Sequence, residues 1–111
     1  MHRVWVVEAT LKPDAHHIYQ KRVFFFDEDS FEILHVDEYD GRGELWRVHE
    51  TFPIEYYDWP GQFWVGEAIY DLQASRYLVF NMLNEEKSFL HGTKMDIEMF
   101  QPDAMRRLGT Q

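Results

Sequence analysis

Apolar and polar residues alternate along most of this chain, in short stretches separated by turn residues. A period of two places successive side chains on opposite faces of a strand and predicts β-structure. Residues 3–12 are the clearest case, and one predicted face carries Trp5, Val7, Ala9 and Leu11. Similar stretches predict further strands at about 18–26, 31–39, 44–57, 65–73, 76–82 and 94–99.

Turn residues between these stretches indicate a meander, in which consecutive strands pair with each other. Residues 27–30 form a polar turn, and Asp-Gly within residues 40–43 favours a tight hairpin. Pro53 predicts a bulge or bend in the long strand over 44–57, because proline cannot donate to a ladder. Alternation puts Trp46, Val48 and Phe52 on one face of that strand, and Ile33, His35 and Asp37 on one face of the strand before it.

The end of the chain predicts a short helix over residues 102–109. Proline and an acid open it, two arginines lie near its end, and glycine closes it. The predicted fold class is therefore mainly β: a curved antiparallel sheet of about seven strands with a short C-terminal helix, in one domain over residues 1–111. A sheet of this size is expected to curl around a core or to be covered by a partner.

Aromatic residues are unusually frequent, at 17% of the chain with nine Phe, six Tyr and four Trp. For most of them the simplest interpretation is a packed core. The alternative is a concave sheet face that offers an apolar groove to acyl chains, because large flat side chains line such sites. Residues 56–64 are the most probable exception to core packing, since they place five aromatic residues in a loop broken by proline and glycine. The candidate ligand-binding residues are Trp5, Phe24, Phe26, Trp46, Phe52, Trp59, Phe63 and Trp64.

The formal net charge of -9 disfavours nucleic acid as a partner, because a negative domain repels phosphate backbones. No apolar run approaches the length of a membrane span. The first residues lack the apolar core of a signal peptide and lead directly into a strand, so we expect a fragment of a longer protein.

Two groups of histidines are candidates for chemistry. His16 and His17 are adjacent, and adjacent strand residues point to opposite faces, so a solvated loop is the favoured interpretation. His35 and Asp37 share a predicted face, and with Asp40 and His49 they could form an acid–base or metal cluster across the hairpin.

Carboxylates flank the same hairpin, and paired carboxylates can hydrolyse glycosides, although acids at hairpin ends are normally solvated. They are Glu38, Asp40, Glu44 and Glu50. The chain contains none of the common nucleophile, phosphate-loop, zinc or dinucleotide motifs. We therefore predict that the protein is not an enzyme and uses no cofactor or metal.

Several stretches resemble the C-terminal region of an uncharacterised family of Gram-negative envelope proteins described as outer-membrane lipoprotein-sorting-like. The resemblance covers nearly the whole chain, and its W-R-V and D-L-Q-A-x-R-Y segments are the more specific ones. The stretches are R-V-W-V-V-E-A-T-L-K (3–12), H-I-Y-Q-K-R (17–22), F-D-E-D-S-F-E-I-L (26–34), D-E-Y-D-G-R-G-E-L-W-R-V (37–48), Y-D-L-Q-A-S-R-Y-L (70–78), N-E-E (84–86) and F-Q-P-D-A-M-R-R-L-G (100–109).

The resemblance implies a fold like that of the lipoprotein carriers LolA and LolB, an incomplete barrel whose concave side holds acyl chains. It also implies a periplasmic or outer-membrane location, a longer exported parent protein and no catalytic residue. The leading hypothesis is a module that handles lipid, lipoprotein or another hydrophobic ligand. The alternatives are a structural cap or protein-interaction domain without a ligand, and an acid–base enzyme. Without the N-terminal region of the parent protein, an exposed sheet edge predicts a homodimer.

Overall fold

A computed structural model describes residues 3–57, 61–82, 94 and 96–109. Its six strands form one antiparallel sheet in the order of the chain, β1-β2-β3-β4-β5-β6, so the predicted meander is confirmed. The strands are β1 Val4–Thr10, β2 Lys21–Asp27, β3 Ile33–Tyr39, β4 Leu45–Glu55, β5 Gln62–Asp71 and β6 Arg76–Phe80.

The seventh strand predicted at 94–99 is wrong. Residues Ile97–Phe100 form a 3-10 helix, followed by the predicted helix α1 at Pro102–Leu108. The Met99 amide donates to the Asp96 carbonyl at 3.0 Å, so local bonds satisfy a segment that has no described strand to pair with. None of the described helices is long and apolar enough to cross a membrane.

The β3–β4 turn is held together by one carboxylate. Asp40 accepts bonds from the amides of Arg42 at 2.9 Å and Glu44 at 3.0 Å. The side chain of Gln73, which lies in the β5–β6 turn, donates to the same carboxylate at 3.0 Å. These bonds lower the pKa of Asp40, with the Gln73 bond contributing most. Two neighbouring hairpins are thereby joined at one end of the sheet.

Three irregularities change which side chains share a face. The register shifts at Phe25/Phe26, at Glu38/Tyr39 and between Thr51 and Pro53, and the last of these confirms the predicted bend. At the Glu38/Tyr39 shift, Tyr39 pairs with Leu45 and Glu38 pairs with Arg47. Trp46 is therefore the extra residue of a β-bulge in β4.

The predicted faces of β3 and β4 are therefore wrong in part. The Trp46 ring centroid lies 4.3 Å from the Arg47 guanidinium, on the side opposite to Val48. Likewise Ile33 pairs with Phe26 whereas His35 pairs with Phe25, so Ile33 and His35 lie on opposite faces.

The sheet has little core of its own. The buried hydrophobic residues in the described part are Val36, Ala68 and Ala104, and no large side chain there is fully buried. The accessible surface is 9572 Å², whereas a compact monomer of this mass exposes about 6,500 Å². The radius of gyration is 18.2 Å, compared with about 13 Å for a compact domain of this length. The molecule is an open single-layer sheet rather than a closed barrel.

Candidate ligand-binding site

The strand pairing separates the two faces of the sheet. One face, called here the cavity face, carries Trp5 opposite Phe26, Val7 opposite Phe24, and Phe24 opposite Val36. The other face carries Phe25, whose ring centroid lies 5.3 Å from that of His35. The cavity face thus gathers aromatic residues from neighbouring strands, as the lining of an apolar binding site would.

A cavity of about 590 Å³ opens on the cavity face across β2, β3, β4 and β5. This volume lies in the range of small-molecule and acyl-chain sites. Its apolar lining comprises Phe24, Phe26, Phe31, Ile33, Val36 and Trp64, and its polar lining comprises Arg22, Ser30, Glu32, Glu38, His49, Thr51 and Glu67.

A second hollow of about 370 Å³ adjoins the first towards the β1 edge, and Trp5, Val7, Phe26 and Phe31 line it. Phe26 and Phe31 border both hollows. Together the two hollows form one apolar groove from β1 to β5, which is called the apolar groove below. An extended acyl chain could lie along it and contact each of these rings in turn.

Phe31 is the most unusual residue of the apolar groove. Its backbone has φ of 59°, in the left-handed region that a bulky side chain rarely adopts. Its side chain is nevertheless 70% exposed, so burial of the ring in this protein does not offset the backbone strain. The Phe31 amide donates to the Asp27 carbonyl at 3.0 Å, so this left-handed residue closes the β2–β3 turn while its ring stays at the surface of the groove.

A polar cluster closes one end of the cavity. His49 of β4 lies between two carboxylates, with Nε2 3.1 Å from Glu38 Oε2 and Nδ1 2.9 Å from Glu67 Oε1. Arg47 donates to the Tyr19 hydroxyl at 2.7 Å, and its Nε lies 3.6 Å from Asp71 Oδ2. The apolar groove therefore ends in a band of fixed charges that runs from β3 to β5.

The cluster shifts the protonation of its members. Contact with Glu38 raises the pKa of His49, and Glu67 adds to this, although burial opposes it. Burial alone would raise the pKa of Glu38, but His49, Tyr19 and the charge of Arg22 outweigh it and lower that pKa. Burial raises the pKa of the Tyr19 hydroxyl, while its bond from Arg47 acts in the opposite direction. The arrangement favours a charged histidine held by two carboxylates.

The structure brings together part of the predicted site. Trp5, Phe24, Phe26 and Trp64 line the apolar groove, and the Trp64 ring also contacts that of Phe80 at 6.5 Å. These four side chains come from β1, β2 and β5, so the sheet rather than any single segment assembles them.

The other predicted residues lie elsewhere. Trp46 packs edge-on against Tyr19 at 5.6 Å, beside the polar cluster. Phe52 lies over Gly66, and Phe63 packs against Tyr56 at 5.6 Å. Trp59 lies outside the described residues. These side chains do not line the groove described here.

The acid–base or metal cluster that His35, Asp37, Asp40 and His49 could have formed is not assembled. His35 Nε2 contacts Asp37 Oδ1 at 2.8 Å on one face, whereas His49 lies on the cavity face and Asp40 is occupied in its turn. The alternation of β3 and β4 separates them, because Val36 rather than Asp37 is opposite His49. Within the described ranges, no group of three or more His, Asp or Glu side chains is arranged to hold a metal ion.

Several residues of the site were absent from the candidate ligand-binding set, among them Arg22 and Phe31. Arg22 alternates with Phe24 and Phe26 along β2, and this period of two could have placed it on the cavity face. Phe31 was expected at the start of a strand, and its left-handed backbone has no signal in the residue type. Glu38, His49 and Glu67 meet only through the observed register.

Comparisons with known proteins give a family, an uncharacterised relative and a shared fold. The profile of a family described as "Protein of unknown function (DUF1329)" matches residues 1–106. The uncharacterized protein PA3922 of Pseudomonas aeruginosa is 45% identical over 112 residues, covering all of this chain and 25% of the relative. The chain thus spans a quarter of the length of that protein.

A solved structure shares the fold. It is a Vibrio parahaemolyticus domain named as an outer membrane lipoprotein-sorting protein domain, with a TM-score of 0.66 and 22% identity over 94% of this chain and 42% of that one. None of these descriptions names a reaction.

Proposed function

The chain belongs to the DUF1329 family of proteins of unknown function, and on that premise we propose that it is a non-catalytic module that binds a lipid or the acyl chains of a lipoprotein. The observation that carries this proposal is the apolar groove, a cavity of about 590 Å³ continued by a hollow of about 370 Å³. The lipoprotein-sorting name of the structural neighbour supports the same class of ligand. We further propose an envelope location and a role as one domain of a longer exported protein.

The lining of the groove favours an acyl chain over a compact polar ligand. Four aromatic rings, those of Trp5, Phe24, Phe26 and Trp64, are spread over three strands and leave an elongated surface between them. Burying apolar surface contributes about 25 cal/mol per Å², or about 0.8 kcal/mol per methylene. A chain of ten methylenes can therefore contribute up to about 8 kcal/mol, from which the costs of association are subtracted.

The exposed surface also favours a second candidate function, that of a protein-interaction or structural module. The chain exposes 9572 Å², about 3,000 Å² above the expectation for a compact monomer, which a protein partner could bury. In that case the aromatic residues of the groove would form an interface core. The two functions differ in whether the isolated protein takes up lipid.

Native mass spectrometry of gently purified protein, followed by titration with phospholipid and fatty acid, tests the proposal. We expect bound lipid at near-stoichiometric occupancy. Phe31→Asn should weaken binding at least about fivefold, because the ring borders both hollows. Asparagine tolerates a left-handed backbone that costs other residues about 1 kcal/mol, so the variant should be as stable as the wild type or more stable.

Tyr77→Asn is the matched control, since Tyr77 is 74% exposed and lies outside the groove, compared with 70% for Phe31. It should leave lipid binding unchanged. A wild-type protein that carries no lipid and refuses added lipid would favour the interaction module instead. If both variants lost lipid binding, binding would depend on exposed aromatic rings in general and not on the apolar groove.

A further inference from the structure

Arg22 differs from the other cations of the sheet. Its side chain lines the cavity and is half-buried, and its guanidinium carbon lies 5.4 Å from the Phe24 ring centroid. Within the described part of the chain, no hydrogen bond or ion pair engages its N–H groups. A guanidinium carries five donors in a planar fork, so Arg22 presents unused hydrogen-bonding capacity to the cavity.

The neighbouring cations are occupied. Arg47 is bound to Tyr19 and Asp71, and Arg76 Nη2 lies 3.5 Å from the same Asp71. Lys21 precedes Arg22 on β2 but contacts Glu8 at 3.8 Å on the opposite face. In the cavity lining, Arg22 is thus the cation that lies within cation–π distance of an aromatic ring and whose N–H groups make no described hydrogen bond or ion pair.

The acids nearest Arg22 make their close contacts with His49, and the charge of Arg22 also helps to lower the pKa of Glu38. Glu38, directly opposite Arg22 in the register, contacts His49, and Glu67 contacts His49 from the other side. With His49 charged, these four side chains sum to zero net charge. Glu32 is the remaining acid of the lining. Its carbonyl accepts a hydrogen bond from the amide of Asp27, at the other end of β2 and about 16 Å from Arg22 along the strand.

We propose that Arg22 binds the anionic head, a carboxylate or phosphate, of an amphiphile whose acyl chain lies in the apolar groove. A planar guanidinium binds both kinds of oxyanion through paired, charge-assisted hydrogen bonds. The Phe24 ring lies within cation–π distance of the guanidinium, at 5.4 Å, and Phe26 continues the apolar surface on the same face of β2. This inference rests on the proposed function, because it specifies the ligand of the same groove.

Calorimetric titration with four amphiphiles that share a twelve-carbon chain tests the assignment. The probes are dodecanoate, dodecyl phosphate, dodecanol and dodecyltrimethylammonium, each below its micellar concentration. We expect the two anionic probes to bind about tenfold more tightly than dodecanol. Arg22→Gln should remove that preference and leave dodecanol binding unchanged.

Lys21→Gln is the matched control, because it removes the same charge from the adjacent residue on the opposite face. It should preserve the preference for anions. If both variants lost the preference for anionic probes equally, the preference would come from the overall charge of the protein, and the role of Arg22 would be overturned. Preference for the ammonium probe, or binding of inorganic phosphate as tight as that of dodecyl phosphate, would also overturn it. If even dodecanol fails to bind, the groove itself is not a lipid site and the proposed function fails first.

Discussion

At the scale of single residues, His49 determines the electrostatics of the cavity. It lies between Glu38 and Glu67, and both contacts raise the pKa of its imidazole. The same histidine lowers the pKa of Glu38, whose side chain is almost completely buried. A buried carboxylate without a cation would be costly, so the histidine charge and the fold of this end of the sheet depend on each other.

This dependence predicts a pH-sensitive stability. A raised folded-state pKa means that the contribution of His49 is complete below its unfolded value of about 6.5 and is lost as pH rises through the folded value. The lowered pKa of Glu38 means that its contribution is complete above about 4.5 and is lost on acidification. The contribution should therefore be largest between these limits.

Urea denaturation of the wild type and of His49→Gln as a function of pH measures the contribution of His49 to the free energy of unfolding. We expect the variant to be less stable by about 1.5–3 kcal/mol at pH 6, a usual value for hydrogen bonds to charged groups, and the difference to shrink by pH 9. His16→Gln, in an exposed loop, should follow the wild-type profile at every pH. A stability difference that does not change with pH would contradict the charged state of His49.

At the scale of elements, the β3–β4 hairpin depends on its turn. Gly43 has φ of 81°, in the region that favours glycine, whereas Gly41 in the same turn does not. Neither position has a neighbouring atom within reach of an added Cβ. Alanine substitutions at Gly41 and Gly43 therefore differ in the backbone conformation that alanine must adopt and not in side-chain packing.

Gly43→Ala should lower the free energy of unfolding by about 1 kcal/mol, because the left-handed conformation is unfavourable for alanine. Gly41→Ala should be neutral or stabilising by up to about 1 kcal/mol, since it restricts the unfolded chain without strain. Chemical denaturation of both variants beside the wild type decides this. Equal effects would show that the turn does not impose the left-handed conformation at Gly43.

The sheet order was predictable because alternation and turn residues are local signals. The hairpins and the helix at the end of the chain follow from them directly. The bulge at Trp46 did not, because an extra residue in one strand is decided by its partner across the ladder. The segment at 97–100 shows the complementary error, since alternation predicted a strand where local hydrogen bonds form a 3-10 helix.

The site was less predictable than the fold for the same reason. Trp5, Phe24, Phe26 and Trp64 could be proposed because aromatic residues are visible one by one. Their convergence and the partners of His49 depend on the register of several strands. A one-residue shift exchanges the faces of a strand, so contacts across the sheet are beyond the reach of local patterns.

At the scale of the whole molecule, the sheet is a single layer with two exposed edges in its described part. A packed domain of this length would bury large side chains between two layers, whereas here Val36 and Ala68 are the buried apolar residues of the sheet. Within the described part of the chain, no second layer covers the apolar groove. The same openness leaves the edge strand β1 available for pairing.

β1 is the edge with most reason to self-associate, because every residue from Val4 to Thr10 is exposed and no proline interrupts it. We expect a homodimer at high micromolar concentration, measured by light scattering. Val6→Lys should shift it to monomer, since a lysine on an edge strand opposes pairing. Ile18→Lys is the matched control, because both side chains are 59% exposed and Ile18 precedes β2 outside the edge. A monodisperse wild-type monomer would exclude the dimer, and a dimer that survives Val6→Lys would place the interface elsewhere, with the groove as the next surface to test.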